Sequence, residues 1–458
     1  MKVIVLGGDG FCGWPCAVNL AEQNHDVIIV DNLSRRKIDI DLEVESLTPI
    51  SSITERLSAW EETGGKPMRF LNMDISKQYQ KLLNLLIDEK PDSVIHFAEQ
   101  RAAPYSMKSS FTKRYTVASI TRAATRKFNE PLNILTFPTH ERYESLLCRT
   151  GHNFYAYRAE GVKDWNSNYA PLPENYQLLN PELGESQIPL NVDFDLILSQ
   201  NKFGQFQIAE PLSKRLHLPM VSLEHTLPVP YWPPNVKEST KYMRGDTNIF
   251  ISEYSIHDWD WSPQGNDTAV ITHGVDSQTF KPQEVERENQ ILSVVNDWIN
   301  RDWCCGFTLW QRVIQGLPFK VVGDTPGLSV PASSTEELVN AYSSNRIFLN
   351  TSTISPVPTA LLEAMSCGCA VVTTATCMIP EIVENGVNGF ISNDEEELKQ
   401  YLVDLLNDED LAKKLGDNAR KTIVENFSQE EFIRKWDFLL KQTAKKFFTK
   451  SHAKYEYP

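Results

Sequence analysis

Two stretches of this 458-residue chain join a turn of small residues to a carboxylate at a set distance, a pairing suited to nucleotides. In the first, an apolar strand from Lys2 to Leu6 runs into Gly7-Gly8-Asp9-Gly10-Phe11-Cys12-Gly13, and a helical pattern follows to Asn24. The glycines at 7, 10 and 13 allow a tight turn, close approach of a pyrophosphate and close helix packing. A second strand, Val27 to Val30, ends at Asp31, an acid placed to bind ribose hydroxyls and to favour NAD over NADP. The same glycines also suit a plain structural turn. In the second stretch, a strand from Arg346 to Asn350 leads through Ser355-Pro356-Val357-Pro358 to a helix predicted over Thr359 to Met365. Cys367-Gly368 closes that helix, and Ala370 to Thr374 is the next strand. Proline fits the first turn of a helix. Backbone N–H groups near Val357 to Ala360 are free for an anion such as a diphosphate. Glu363, one turn further in, can accept hydrogen bonds from two ribose hydroxyls.

The elements that must position these groups follow the same strand–turn–helix plan along the chain. Strands are expected near 2–6, 27–30, 68–72 and 92–97, then at Leu132–Phe137, Asn153–Tyr157, Asp195–Ser199 and Pro219–Leu223, and again at Ile291–Val295 and Phe319–Val322. Trp165 to Pro189 reads as loop, Leu398 to Leu415 as one amphipathic helix, and Phe432 to Lys446 as a closing helix. The expected segments are 1–108, a linker at 109–130, 131–265, 266–427, a helix at 428–447 and a tail at 448–458. A basic helix in the linker, near Val117 to Phe128, can pack on the first sheet's edge or lie on a membrane surface. The net charge of -15 argues against a nucleic-acid partner, which needs clustered Lys and Arg. No apolar run approaches the ~18 residues of a membrane span, so a cytoplasmic protein is expected, with peripheral membrane contact left open. The eight cysteines show no C-x-x-C spacing and read as packing residues, and no metal is expected.

Leu362-Glu363-Ala364-Met365-Ser366-Cys367-Gly368, Pro380-Glu381-Ile382-Val383 and Asn385 to Phe390 resemble the donor-nucleotide site of retaining glycosyltransferases of family 4, which have the GT-B fold. Ala269 to Asp276 and Phe280-Lys281-Pro282 resemble that family's leading turn, with His273 in place of Asn. The resemblance implies a nucleoside-diphosphate sugar as donor and an acceptor, glycan or lipid, that supplies a hydroxyl. It implies donor contacts at Arg301, Ser355, Val357, Pro358, Thr359, Ala360 and Glu363. Ser355 stands where the family carries a second Glu against the transferred sugar, and Arg301 is the only cation in a loop where the family has Arg and Lys. Arg301 is alternatively a surface partner of Asp302. The second domain resembles the acceptor side, which puts His225 opposite the donor sugar, so His225 and Glu363 are the expected reaction-centre residues. His140, at another strand end, is a candidate acceptor contact, and Tyr231-Trp232 either a sugar platform or core. In that family the leaving diphosphate helps to activate the acceptor.

Gly7 to Trp14, Val30 to Leu33, Arg35-Arg36, Glu45 to Ile50 and His96 to Met107 resemble UDP-sulfoquinovose synthases, NAD-dependent extended short-chain dehydrogenases. The expected cofactor contacts are Gly7, Gly10, Phe11, Cys12, Gly13, Asp31, Asn32, Arg36, Asp74 and Ile75. The Tyr and Lys pair that such a dehydrogenase needs for proton transfer is missing from the family's position. The expected fold class is therefore α/β: a partial NAD-binding Rossmann domain, without complete dehydrogenase catalysis, followed by a two-domain GT-B glycosyltransferase. The alternatives are a non-catalytic nucleotide-sugar or NAD-binding protein, or a sulfolipid-pathway protein that makes or uses UDP-sulfoquinovose.

Overall fold

The computed structural model describes residues 1–34, 36–37, 50–98, 130–167, 169–189 and 191–449. Arg35, the motif residues 45–49, the loop 99–107, the linker helix expected over 117–128 and the tail from 450 lie outside the described residues.

Three parallel sheets follow one another along the chain. β1 (Lys2–Leu6), β2 (Asp26–Asp31), β3 (Arg69–Asn72) and β4 (Ser93–His96) form a four-stranded sheet in the order β3-β2-β1-β4. β5 (Asn133–Thr136), β6 (Asn153–Ala156), β7 (Tyr176–Leu178), β8 (Leu196–Ser199), β9 (Met220–Glu224), β10 (Thr247–Phe250) and β11 (Thr268–Val270) form a seven-stranded sheet, β11-β10-β9-β8-β5-β6-β7. β12 (Glu288–Val294), β13 (Phe319–Val322), β14 (Asn345–Asn350), β15 (Ala370–Thr373) and β16 (Phe390–Ile391) form a five-stranded sheet, β13-β12-β14-β15-β16. This is the expected α/β class. The central strands are apolar and buried because helices cover both faces of a parallel sheet. Ile4, Leu6, Ile28 and Val30 face one core, and Val3, Val5, Val27 and Ile29 face the other.

Three expectations are corrected. Tyr176–Leu178, inside the stretch read as loop, is an edge strand paired with β6; a three-residue strand is too short to show an alternation. β11 pairs with β10, so the second sheet runs past the boundary expected at 265/266. The helix expected over 398–415 is two helices, Glu395–Asn407 and Glu409–Asn426. Asp408 breaks it: its backbone is extended (φ -123, ψ 98), and its carboxylate caps Leu411 N–H at 2.9 Å.

The helix Gln429–Thr449 leaves the third sheet's domain and packs on the second. Phe432, Trp436, Leu440 and Ala444, four residues apart and so on one helix face, enter the same core as Leu132, Ile134 and Val221. Trp436 Nε1 donates to Tyr143 Oη at 3.0 Å, and the Thr443 and Thr247 hydroxyls lie 2.7 Å apart.

Candidate functional site

The helix Thr359–Ser366 follows β14 and the loop through Ser355, as the spacing predicts. Its N-cap is Pro358, which offers no capping side chain, and the N–H groups of Thr359 and Ala360 have no protein acceptor among the described residues. An uncapped start leaves partial positive charge at the end of the strand. Val357 is buried beneath this turn, while Ser355, Pro358, Thr359 and Ala360 are half-buried. One turn in, Glu363 is buried, and both of its oxygens have a partner. Tyr342 Oη donates to Oε2 at 2.9 Å. Arg142 Nη1, from the neighbouring domain, donates to Oε1 at 2.8 Å. Glu363 holds the Arg142 guanidinium above its ordinary pKa, and burial with Glu363 pushes the Tyr342 phenol well above its own.

Arg301 is exposed at the start of the short helix Asp302–Cys305, with Nη1 3.4 Å from Asn296 O. Among the described residues it makes no ion pair with Asp302, whose carboxylate accepts instead from Thr308 N–H and Oγ1. The helix is tied to the loop that precedes Thr359, because Cys304 O accepts from Thr353 N–H at 2.9 Å and Ile354 N–H at 3.2 Å. Trp303 in this turn is 45 % exposed, and its ring lies 6.1 Å from that of Tyr231, 72 % exposed, in the second domain. The pair Tyr231-Trp232 thus divides: Trp232 packs against Phe203 and Trp259, while Tyr231 stays open where the domains meet.

On the second domain, three histidines gather around Tyr143. His225, just past β9, sets its ring 6.1 Å from His140 and 6.5 Å from His273, and Tyr143 meets His225 edge-on at 4.5 Å. His140 is the N-cap of the helix Glu141–Cys148 and accepts Tyr143 N–H on Nδ1. His225 Nε2 lies 3.3 Å from Gln200 Oε1, so this nitrogen carries the proton, and Nδ1 has no partner among the described residues. Burial, with like charge from its neighbours, lowers the pKa of all three, that of His273 to about 3. They are neutral imidazoles at pH 7, able to hydrogen bond but carrying no charge. Buried Glu144 anchors the loop beneath by accepting from Thr139 N–H, His140 N–H, Tyr176 Oη and Gln200 Nε2. Among the described residues no group of three or more His, Cys, Asp or Glu is placed to hold a metal ion.

The first glycine turn is built differently. A Cβ at Gly7, whose φ is +78, would strike Phe97 and Ala98, and one at Gly13 would strike the Gly7 carbonyl. Among the described residues, a Cβ at Gly10 would meet only Gly7 O, at 3.2 Å. Two glycines therefore close the fold, and the third leaves room above the turn among the described residues. Phe11 and Cys12 are exposed on its rim. Asp31 accepts Asp9 N–H on Oδ2 at 3.0 Å and Leu33 N–H on Oδ1 at 2.8 Å. Arg36 lies against this turn, donating to Asp9 through Nε at 2.7 Å and Nη2 at 2.9 Å, and Arg56 pairs with Asp9 as well. Asn32 reaches the Asp74 side chain, Asp74 also accepts from Ser76, and Ile75 packs on the core. The space above Gly10 and the Asp31 carboxylate beside it fit a dinucleotide.

Arg142, Tyr342, Gln200 and Glu144 escaped the sequence reading. Only Arg142 gave a signal, as a cation in a strand-end loop; the others look like ordinary helix or strand residues.

Residues 3–124 match the NAD dependent epimerase/dehydratase family, and residues 329–422 match Glycosyl transferases group 1. The chloroplastic UDP-sulfoquinovose synthase of Spinacia oleracea is 38% identical over 148 residues, 31% of this chain and 30% of that protein. The chain thus spans less than a third of that relative's length. The N-acetyl-alpha-D-glucosaminyl L-malate synthase of Bacillus anthracis is 32% identical over 79 residues, 17% of this chain and 21% of that protein. The crystal structure of Anabaena HepE in complex with UDP superposes with a TM-score of 0.54 at 16% identity, over 68% of this chain and 100% of that one. The chain therefore joins an NAD dependent epimerase/dehydratase segment to a GT-B unit whose second half carries a Glycosyl transferases group 1 segment.

Proposed function

We propose that the chain transfers a sugar from a nucleoside-diphosphate donor to an acceptor hydroxyl, with retention at the anomeric carbon. The observation that carries this reading is the uncapped start of the helix Thr359–Ser366 with Glu363 one turn inside it. The N–H groups of Thr359 and Ala360 face the diphosphate, and Arg301 adds charge from the adjoining turn. Each oxygen of Glu363 accepts one protein hydrogen bond and keeps a second lone pair. Two lone pairs on one carboxylate suit the vicinal hydroxyls of a ribose. His225 offers the reacting sugar a neutral imidazole, and Ser355 offers it a hydroxyl. The leaving diphosphate helps to activate the acceptor, so no strong protein base is required. His140 and Tyr231 lie on the acceptor's side, and the exposed rings of Tyr231 and Trp303, which meet across the two domains, suit the faces of a glycan.

In the same proposal the first domain holds NAD. Gly10, Phe11 and Cys12 border the pyrophosphate, with Gly7 and Gly13 shaping the turn, and Asp31 takes the ribose. Asn32, Arg36, Asp74 and Ile75 line the adenosine end. NAD when bound supplies a hydride acceptor. The absent Tyr and Lys pair argues for binding without a completed dehydrogenase. A cytoplasmic site of action belongs to the same proposal.

A second reading is a nucleotide-sugar-binding protein without turnover, favoured by Ser355 in place of the acid. Both are tested by thermal stabilisation with UDP, GDP, ADP, their sugars, UDP-sulfoquinovose and NAD, since a ligand of the folded state raises stability by mass action. A response to one nucleotide sugar, with release of its diphosphate on adding acceptor, is expected. A response without release favours the second reading, and a response to NAD alone rejects the transferase. NMR of the product's anomeric proton checks retention.

A further inference from the structure

The acid proposed to bind the donor ribose is held by a residue of the opposite domain. Glu363 belongs to the domain of the five-stranded sheet, whereas Arg142 belongs to that of the seven-stranded sheet, 221 residues earlier in the chain. The two ends of the contact are built to meet. Arg142 lies in the first turn of the helix Glu141–Cys148, whose start is fixed by His140 as N-cap and by two buried acids. Glu141 accepts from Lys163 Nζ at 2.8 Å and from Asn166 N–H at 3.0 Å, and Glu144 accepts four hydrogen bonds. Arg142 Nε adds a longer contact to Tyr169 O at 3.4 Å. On the far side, Tyr342 is fully buried in the helix Thr335–Ser344 and grips the other oxygen of Glu363. One donor on each oxygen fixes the rotation of the carboxylate plane. The Glu363 side chain is 9% exposed.

We infer that Arg142 is a positioning residue for the donor nucleotide: it orients Glu363 from across the domain boundary, so that the ribose is recognised in full only when the domains are closed. This inference rests on the donor reading above. Tyr342 alone leaves the carboxylate free to turn about its one anchored oxygen. With Arg142 in place, both free lone pairs face the same diol.

The test is a titration of the full chain, unaltered and as Arg142→Ala and Arg142→Lys, with ADP, GDP and UDP and with the 2′-deoxy form of whichever binds most tightly. Comparing two ligands on one protein cancels any general loss of stability. The unaltered chain is expected to prefer the ribonucleotide by about tenfold or more, the worth of a hydrogen bond to a charged group. In Arg142→Ala the preference should collapse towards unity while the 2′-deoxy nucleotide binds almost as before, and Arg142→Lys should recover part of it. An unchanged preference in Arg142→Ala overturns the inference and leaves the donor reading intact. Tighter ribonucleotide binding in Arg142→Ala overturns it too, because Arg142 would then be competing with the ribose. No response of the unaltered chain to any of the three nucleotides overturns the donor reading and this inference together.

Discussion

The two turns proposed to hold nucleotides are built alike but supported differently. In both, a strand ends in a turn that opens a helix, and a carboxylate nearby accepts one protein hydrogen bond on each oxygen. At Asp31 both partners are backbone N–H groups of the same small domain, Asp9 and Leu33. At Glu363 the partners are side chains, and one of them, Arg142, comes from another domain. Among the described residues, the contacts that hold Asp31 all come from its own domain. Those that hold Glu363 are complete only when two sheets have docked, and that docking is secured by the helix Gln429–Thr449. A self-contained site binds its ligand whatever its neighbours do. A shared site makes ligand binding depend on domain closure.

The contrast can be broken most directly through the acids. Glu363→Ala removes the acceptor proposed for both ribose hydroxyls, each such bond being worth about 1.5–3 kcal/mol. Calorimetric titration should show nucleoside-diphosphate binding weakened by roughly a hundredfold or more. Asp31→Ala should abolish NAD binding and leave the other titration untouched. If either substitution affects both ligands, the two sites are not independent.

Next in size is the docking helix. Trp436→Ala empties a fully buried indole and takes away the partner of Tyr143 Oη. A loss of about 3–5 kcal/mol is expected in denaturant unfolding of the GT-B unit. The unfolding of the first domain should not move.

The glycines sharpen the comparison within the first site. Gly13→Ala should cost about 1–3 kcal/mol in the same measurement, because its Cβ meets the Gly7 carbonyl. Among the described residues, Gly10→Ala meets only Gly7 O at 3.2 Å. It should leave stability within about 1 kcal/mol while weakening NAD binding through the space it fills.

The last contrast is a pH dependence of the GT-B unit. His273 is buried and neutral, with its pKa lowered from 6.5 to about 3. Its unfolded form takes up a proton below 6.5 and its folded form does not. The stability it contributes is therefore full above 6.5 and falls as the pH drops from there towards about 3. His273→Asn should flatten the acid side of the stability curve of the GT-B unit relative to the unaltered chain. An identical slope in the two proteins would mean that His273 is charged in the fold.

These contrasts also separate what could be read early from what could not. The glycine turn, Asp31, the helix start at Thr359 and the position of Glu363 were legible because each depends on a few residues in a row: an apolar strand, small or proline residues at fixed offsets, an acid at the next turn. The break at Asp408 was hidden for the opposite reason. Leu398, Leu402, Leu405, Ala412 and Leu415 keep a helical spacing on both sides of it and are all buried, so periodicity alone reads straight through one capping carboxylate.

The sequence by itself determined the class of the fold and the local chemistry of both turns, because hydrogen bonding along a strand end or a helix start is set by neighbours in the chain. Only the tertiary structure decided that Arg142 and Tyr342 hold Glu363, that His140, His225 and His273 share Tyr143, and that Tyr231 meets Trp303 while Trp232 turns inward. Each of these is a meeting of side chains far apart in sequence. Its geometry is fixed by how whole sheets and the last helix pack against one another.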